Sequence, residues 1–410
     1  MAWAEVAVAA TEMETCIEAD ATRPRRVLGG IVLAAIGLPG VLPQVAHAEA
    51  APEQGVVSLR HLHYEDRQAV NTRYPDYTGN EPSTFKRITV DAPSLYVLAP
   101  IGGKWSLEGS LVHDQVSGAT PRYYSSISGA TTAKGMHDER TAGDVKFTRH
   151  FERAALGLGV AHSSEHDYES SALSLDGRIS TDDNNRTFNL GAGASSDKIG
   201  STNDPDLHKR KRTAEVMAGL TQVMTANDIA QVNVGYTRGS GYYSDPYKMF
   251  DNRPELRRQG VVLARWNHQF DRLGSTLRNS YRYYRDSFGI RAHTFEAAWV
   301  QPLRDSLVVT PSVRYYTQSS AWFYYDPVRD TSVFPGPVGT PAYSSADQRL
   351  SAFGAWTFGL KGEVRFGEWT ADLKYERYEQ RSEWRSFGRG SPSIDPFIAD
   401  FVQFGISKKF

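Results

Sequence analysis

The sequence predicts an all-β fold, a transmembrane antiparallel up-and-down β-barrel of about sixteen strands (fourteen to eighteen), preceded by a cleavable signal peptide. Three observations predict it. Segments after residue 55 alternate polar and apolar side chains with a period of two, their connections alternate between short and long, and an apolar run near the amino terminus ends in a small-x-small site. On this reading residues 1–48 are an extension plus a secretory signal peptide, and residues 49–410 form the barrel domain.

The leader comes first. Arg23, Arg25 and Arg26 precede an apolar run from Val27 to Ala46, and Ala46-His47-Ala48 offers the cleavage site. Gly29, Gly30, Pro39, Gly40 and Pro43 break that run, which suits a signal h-region better than a spanning helix. Residues 1–20 carry Glu5, Glu12, Glu14, Glu18 and Asp20, an acidic prelude that points to a translation start at Met13 or later. Arg25-Arg26 hints at twin-arginine export, but Val27-Leu28-Gly29 continues that motif poorly and a barrel crosses the inner membrane unfolded, so the general secretory route is expected. The single cysteine, Cys16, precedes the h-region, which excludes a lipoprotein anchor there and leaves the mature chain without thiols for disulfides, metal or nucleophilic catalysis. With 46 basic against 47 acidic residues, the charge balance argues against a nucleic-acid partner. A mean hydropathy of -0.46 beside 11% aromatic residues excludes an ordinary helical membrane protein.

The strands follow. In Trp369-Thr-Ala-Asp-Leu-Lys-Tyr-Glu, residues Trp369, Ala371, Leu373 and Tyr375 share one face, while Thr370, Asp372, Lys374 and Glu376 share the other. The same period marks Gln231-Val-Asn-Val-Gly-Tyr-Thr and His293-Thr-Phe-Glu-Ala-Ala-Trp. Such segments lie near 55–65, 85–99, 104–115, 138–150, 154–168, 170–181, 186–196, 212–224, 228–239, 257–270, 275–286, 290–302, 306–321, 347–361, 363–379 and 397–410. Many are longer than the strands of a soluble sandwich and match tilted membrane crossings. Short turns such as Ile101-Gly102-Gly103, Thr225-Ala226-Asn227 and Leu273-Gly274 follow even-numbered segments. Long connections at 66–84, 116–137, 197–211, 240–256, 322–346 and 380–396 follow odd-numbered ones. That rhythm predicts periplasmic turns, outer loops and periplasmic termini. Gln403, Gly405 and Phe410 fit the terminal signal read by the barrel-assembly machinery, with Lys408 as a departure from it.

Several phrases resemble one outer-membrane family, the domain of unknown function 3570. They are Asp114-Gln-Val-Ser-Gly-Ala-Thr-Pro121, Met136-His-Asp-Glu-Arg140, Ser164-Glu-His-Asp-Tyr168, Gly241-Tyr-Tyr-Ser-Asp-Pro-Tyr247, Tyr281-Arg-Tyr-Tyr-Arg-Asp286, Arg314-Tyr-Tyr-Thr-Gln318 and Tyr343-Ser-Ser-Ala-Asp-Gln-Arg349. The resemblance spans nearly all of the mature chain. It implies no established activity, but an association with flavin transferase and thioredoxin-like neighbours hints at a periplasmic redox partner.

On the strand map these phrases gather at the outer ends of strands, and they nominate Asp114, Ser117, Glu165, Asp167, Tyr168, Asp245, Tyr247, Arg285, Asp286, Tyr316 and Gln318 as residues of the outer mouth or lumen. The competing reading makes the tyrosines an aromatic girdle and the charges solvated loop residues. His162, Glu165 and His166 resemble a metal cluster, but period two separates Glu165 from the histidines; Asp114, Glu165, Asp167 and Asp245 could instead offer oxygens to calcium. A hydrolase triad from Ser117, His113 and Asp114 fails because adjacent strand residues face opposite ways. No cofactor, metal or enzymatic activity is therefore expected. The leading expectation is a porin-like channel for passive solute passage, embedded in outer-membrane lipid; the alternative is a scaffold that docks the redox partner.

Overall fold

In the computed structural model, residues 50–69, 84–118, 136–202, 204–248, 250–326 and 336–410 are described. They form sixteen strands: β1 (Val56–Ala69), β2 (Thr84–Ile101), β3 (Trp105–Gly118), β4 (Met136–His150), β5 (Ala154–Ser164), β6 (Tyr168–Ser180), β7 (Arg186–Ile199) and β8 (Lys209–Val223). The second half holds β9 (Asp228–Gly241), β10 (Leu256–Phe270), β11 (Ser275–Asp286), β12 (Arg291–Arg304), β13 (Leu307–Gln318), β14 (Phe353–Phe366), β15 (Trp369–Arg381) and β16 (Phe397–Lys409). Each strand pairs antiparallel with its neighbours in sequence, and β1 pairs with β16 to close the barrel. Closure satisfies every ladder, which an edge exposed to lipid could not do. The seam ends on two reciprocal backbone bonds, Gly55 N–H to Phe410 O at 2.8 Å and Phe410 N–H to Gly55 O at 3.0 Å. The Phe410 ring covers Gly55 so closely that a Cβ there would lie 2.4 Å from it.

Alternation sets which side chain faces where. Leu158, Val160, Leu173, Leu175, Val232, Val234, Phe358 and Leu360 point outward and are exposed, with Leu190 at 65%. Their inward-facing neighbours are polar: Ser163, Ser170, Ser174, Asn189, Gln231, Asn233 and Thr357 are buried. A soluble protein buries its leucines. Here the apolar side of each strand is the outer side, and a contiguous apolar band around the wall is stable only against lipid. Aromatic pairs border the band. Trp105 stacks on Phe147 at 4.7 Å near the short-turn end, while Tyr281 packs on Phe295 at 4.8 Å and Tyr315 on Trp356 at 4.7 Å near the long-loop end.

The expected rhythm of turns and loops holds, with the connections after β5 (165–167) and β11 (287–290) short, as the segment bounds implied. β5 also ends at Ser164 rather than 168. The Glu165 N–H donates to Tyr168 O at 2.7 Å and closes a tight turn, so Tyr168 opens β6 instead of leaving β5. β14 begins at Phe353 rather than 347, because Asp347 caps a short 3-10 turn at Gln348–Leu350.

The lumen and its outer mouth

Many of the inward-facing charges on the strands are arranged as cross-strand and same-strand pairs, whereas Glu215 of β8 is buried on the same face outside any of them. Arg60 meets Asp372 at 3.5 Å, Arg314 meets Glu296 at 3.4 Å, Lys374 meets Glu376 at 3.1 Å, Lys146 meets Asp176 at 2.8 Å and Lys211 meets Asp197 at 3.0 Å. Lys361 and Arg365 both reach Glu363, at 3.3 and 2.8 Å. Removing one member of such a pair would leave a desolvated charge, so the ladder fixes its own composition. On β10 and β11 bases outnumber acids: Arg257, Arg265, Arg278 and Arg282 face inward and are half-buried, with Asp286 on the same two strands and Glu296 of β12 opposite Ser280.

Two apolar clusters line the outer end of the lumen. Leu62, Tyr64, Ile88, Ala92, Phe353, Ala355, Tyr378, Ala399 and Phe401 form an inward apolar cluster, on which Ile394 of the β15–β16 loop sits. A second cluster joins Tyr284, Phe288, Ile290 and Ala292 to Ala321, Phe323 and Leu350 of the β13–β14 loop. Both are satellite cores that hold loops down by burial of apolar surface. Gly354 makes one close approach possible, since a Cβ there would lie 2.0 Å from the Trp384 carbonyl oxygen.

Between the β9–β10 loop (242–255) and the β13–β14 loop (319–352) lies a latch of six charges. Asp347, fully buried, accepts from Lys248 at 2.6 Å, from Arg253 at 2.8 Å and from Arg349. Arg253 also engages Asp251 at 2.8 Å, and Asp245 receives Arg349 at 3.1 Å with Lys248 at 3.8 Å. Three acids and three bases thus cancel inside a shielded pocket. Burial alone would raise the carboxyl pKa values, yet Lys248, Arg349 and Arg253 hold Asp245 below, and Asp347 well below, the usual carboxylate range. Backbone bonds reinforce the weld: Asn252 N–H to Ser344 O at 2.8 Å and Ser344 N–H to Asn252 O at 2.9 Å.

The chain matches the family described as "Protein of unknown function (DUF3570)" over residues 28–209 and 201–397. It belongs to that family. No curated protein sequence matches it. Among solved structures, it is similar to the siderophore receptor PirA from Pseudomonas aeruginosa, at 10% identity and a TM-score of 0.45, covering 84% of this chain and 61% of that one. It is similar to CdiB from Acinetobacter baumannii at 8% identity and a TM-score of 0.46, covering 85% and 60%. A Pseudomonas aeruginosa FadL homologue gives 11% identity and a TM-score of 0.41, covering 87% and 90%. The chain thus spans about three fifths of the length of PirA and CdiB. Likenesses this remote carry no functional argument, which rests on the geometry of this DUF3570 chain itself.

That geometry joins five of the eleven sequence-nominated residues. The Tyr247 hydroxyl donates to Asp167, the Tyr247 N–H donates to Asp245 at 3.0 Å, Asp245 receives Arg349, and Gln318 Nε2 donates to Arg349 O at 2.9 Å and Ser351 O at 2.6 Å. The Tyr316 hydroxyl donates to Gln318 Oε1 at 2.5 Å. Burial and the bond to Asp167 push the Tyr247 hydroxyl pKa up, which keeps it a donor. Asp286 accepts from Arg257 at 2.7 Å and from the Tyr284 hydroxyl at 2.9 Å just below the second apolar cluster. Tyr168 faces inward and is buried, with Lys211 over its ring at 5.6 Å.

Four nominated residues lie elsewhere, among them Glu165 in the β5–β6 turn. Asp114 is bound by Arg140 inside β3–β4, apart from the latch. Arg285 faces outward, because it sits one residue from the inward Asp286 on the same strand. Ser117 pairs through its backbone with Thr89 and His137, and its side chain lies outside the described residues. His113 turns outward to Thr141 at 3.0 Å while Asp114 turns inward, so the two do not share a face. Among the described residues no group of three His, Cys, Asp or Glu could hold a metal ion. Sequence reasoning missed Lys248, Asp251, Arg253, Asp347 and Arg349. The nearest signal was their crowding into two loops, but pairing between loops about ninety residues apart has no periodicity to betray it.

Proposed function

We propose that the protein is a narrow, ion-lined channel of the outer membrane, whose outer mouth is restricted by latched loops so that only small polar solutes pass. The observation that carries this is the inward face itself: paired charges recur around the wall, and the half-buried Arg257, Arg265, Arg278 and Arg282 make its β10–β11 side richer in bases than in acids. Such a surface has no use as a dry core, where apolar residues of similar volume would serve stability as well or better. The basic side favours anions by electrostatic complementarity, as charged linings do in other pores. Single-channel recording in planar bilayers tests the reading. Small, anion-preferring currents are expected, and Arg278→Gln with Arg282→Gln should move the reversal potential toward cation preference. Folded protein that never conducts, or a reversal potential indifferent to both substitutions, would refute it.

A further inference from the structure

The outward face of β8 to β12 carries a basic rail at the long-loop end. Arg210, Arg212, Arg238, Arg258, Arg285 and Arg291 all point outward and are exposed, and Lys198 of β7 continues the row. Three neighbours are directly opposed in the ladder: Lys198 with Arg210, Arg238 with Arg258, and Arg285 with Arg291. Like charges facing each other across strands destabilise a sheet. Of the seven, only Lys198 has an acid in reach among the described residues, Glu169 at 3.0 Å.

The opposite side of the same rim is built differently. There Glu65 is paired with Lys86 at 2.7 Å and Arg67 at 2.8 Å, Asp400 with Arg377 at 3.3 Å and Glu379 with Arg381 at 2.5 Å. A chain with net charge -1 has no general excess of bases to explain the contrast. The rail also has a defined height. Arg238 follows the outward Tyr236, Arg285 follows the outward Tyr281 and Tyr283, and Arg291 precedes His293 and Phe295, so the guanidinium groups stand one step above the aromatic border of the apolar band.

We propose that this rail binds the phosphate groups of glycolipid headgroups in the surrounding leaflet, one phosphate bridging the two bases of each opposed pair. Two bases at cross-strand spacing, both guanidinium groups in the Arg238–Arg258 and Arg285–Arg291 pairs, present their donors to a single tetrahedral anion, and the bridge turns mutual repulsion into shared attraction. A lipid headgroup fits better than a soluble anion because the acyl chains beneath it would lie on Val232, Val234 and Val262, directly below the bases. The proposal rests on the membrane-channel reading.

The test uses the full chain in nanodiscs of phosphatidylcholine alone, with bisphosphorylated lipid A, or with dephosphorylated lipid A, and native mass spectrometry counts retained glycolipid. Wild type should retain the phosphorylated form roughly tenfold or more over the dephosphorylated one. The quadruple variant Arg238→Gln, Arg258→Gln, Arg285→Gln, Arg291→Gln should lose that preference, and Arg67→Gln with Arg377→Gln and Arg381→Gln should keep it. Without phosphorylated lipid the quadruple variant should be at least as heat-resistant as wild type, since its repulsive pairs are gone; with it, the order should reverse. Equal retention of both lipids, equal loss in the two variants, or matching stabilisation by inorganic phosphate alone would overturn the proposal. Failure of wild type to enter any bilayer would overturn the channel reading as well.

Discussion

Replacing Asp347 with Asn removes the charge at the centre of the latch while keeping its size. Asp347 is fully buried and takes Lys248, Arg253 and Arg349, so the bare expectation is the ~3–5 kcal/mol lost when one member of a buried ion pair is removed. The remaining acids soften that loss. Arg253 keeps Asp251 at 2.8 Å, Arg349 keeps Asp245 at 3.1 Å, and Lys248 keeps Asp245 at 3.8 Å. A net cost of about 2–3 kcal/mol follows, borne by the two loops and not by the barrel ladder. Hydrogen exchange followed by mass spectrometry reads this locally. The amides of Asn252 and Ser344, bonded across the loops, should exchange roughly 30- to 150-fold faster, while those of the β15–β16 ladder stay unchanged. Unaltered loop exchange in Asp347→Asn would refute the claim that charge holds the mouth, and equal acceleration in the ladder would show a global rather than a local effect.

Acid should loosen the same latch late. Asp245 and Asp347 titrate below the ordinary carboxylate range when folded, so their contribution is present above the unfolded pKa and disappears only as pH falls through the lowered folded values. Proteolysis of segment 336–352 should therefore stay slow from neutrality down to about pH 4 and rise only below it; sensitivity already at about pH 6 would contradict the assignment. Gly354→Val should displace the segment around Trp384, because its Cβ would lie 2.0 Å from that residue's carbonyl oxygen; a loss of about 1–3 kcal/mol and faster exchange at 382–396 are expected, and unchanged exchange there would contradict it. Phe410→Ser should lower the yield of heat-modifiable, folded barrel in whole cells, since it removes the ring packed over Gly55 and changes the terminal residue proposed as an assembly signal; an unchanged yield would count against both roles.

The sixteen strands were legible because a wall between lipid and lumen imposes one rule on every residue, and a period of two records it directly. Trp369, Leu373 and Tyr375 face outward and Asp372, Lys374 and Glu376 inward, as the alternation required. Where local chemistry competes with alternation, the reading slipped. Tyr168 moved from the end of one strand to the start of the next because a three-residue turn closes there, and β14 starts late because Asp347 caps a short turn instead of extending the sheet. Of the nominated site, Asp167, Asp245, Tyr247, Tyr316 and Gln318 proved to be one connected chain of hydrogen bonds and ion pairs. Arg285 was placed at the right height but on the wrong face, an error of a single residue in parity. The latch partners could not be read, because contacts between loops depend on where the barrel brings their ends, and no local pattern encodes that.

The proposed function is a conducting lumen whose outer mouth is held nearly shut by buried charge. The most direct measurement is single-channel conductance of the purified wild-type barrel beside Asp347→Asn, in the same bilayer and salt. Small, steady, anion-preferring currents are expected from wild type and larger or flickering openings from the variant. Silence from both proteins, each shown to be folded and inserted, would contradict it.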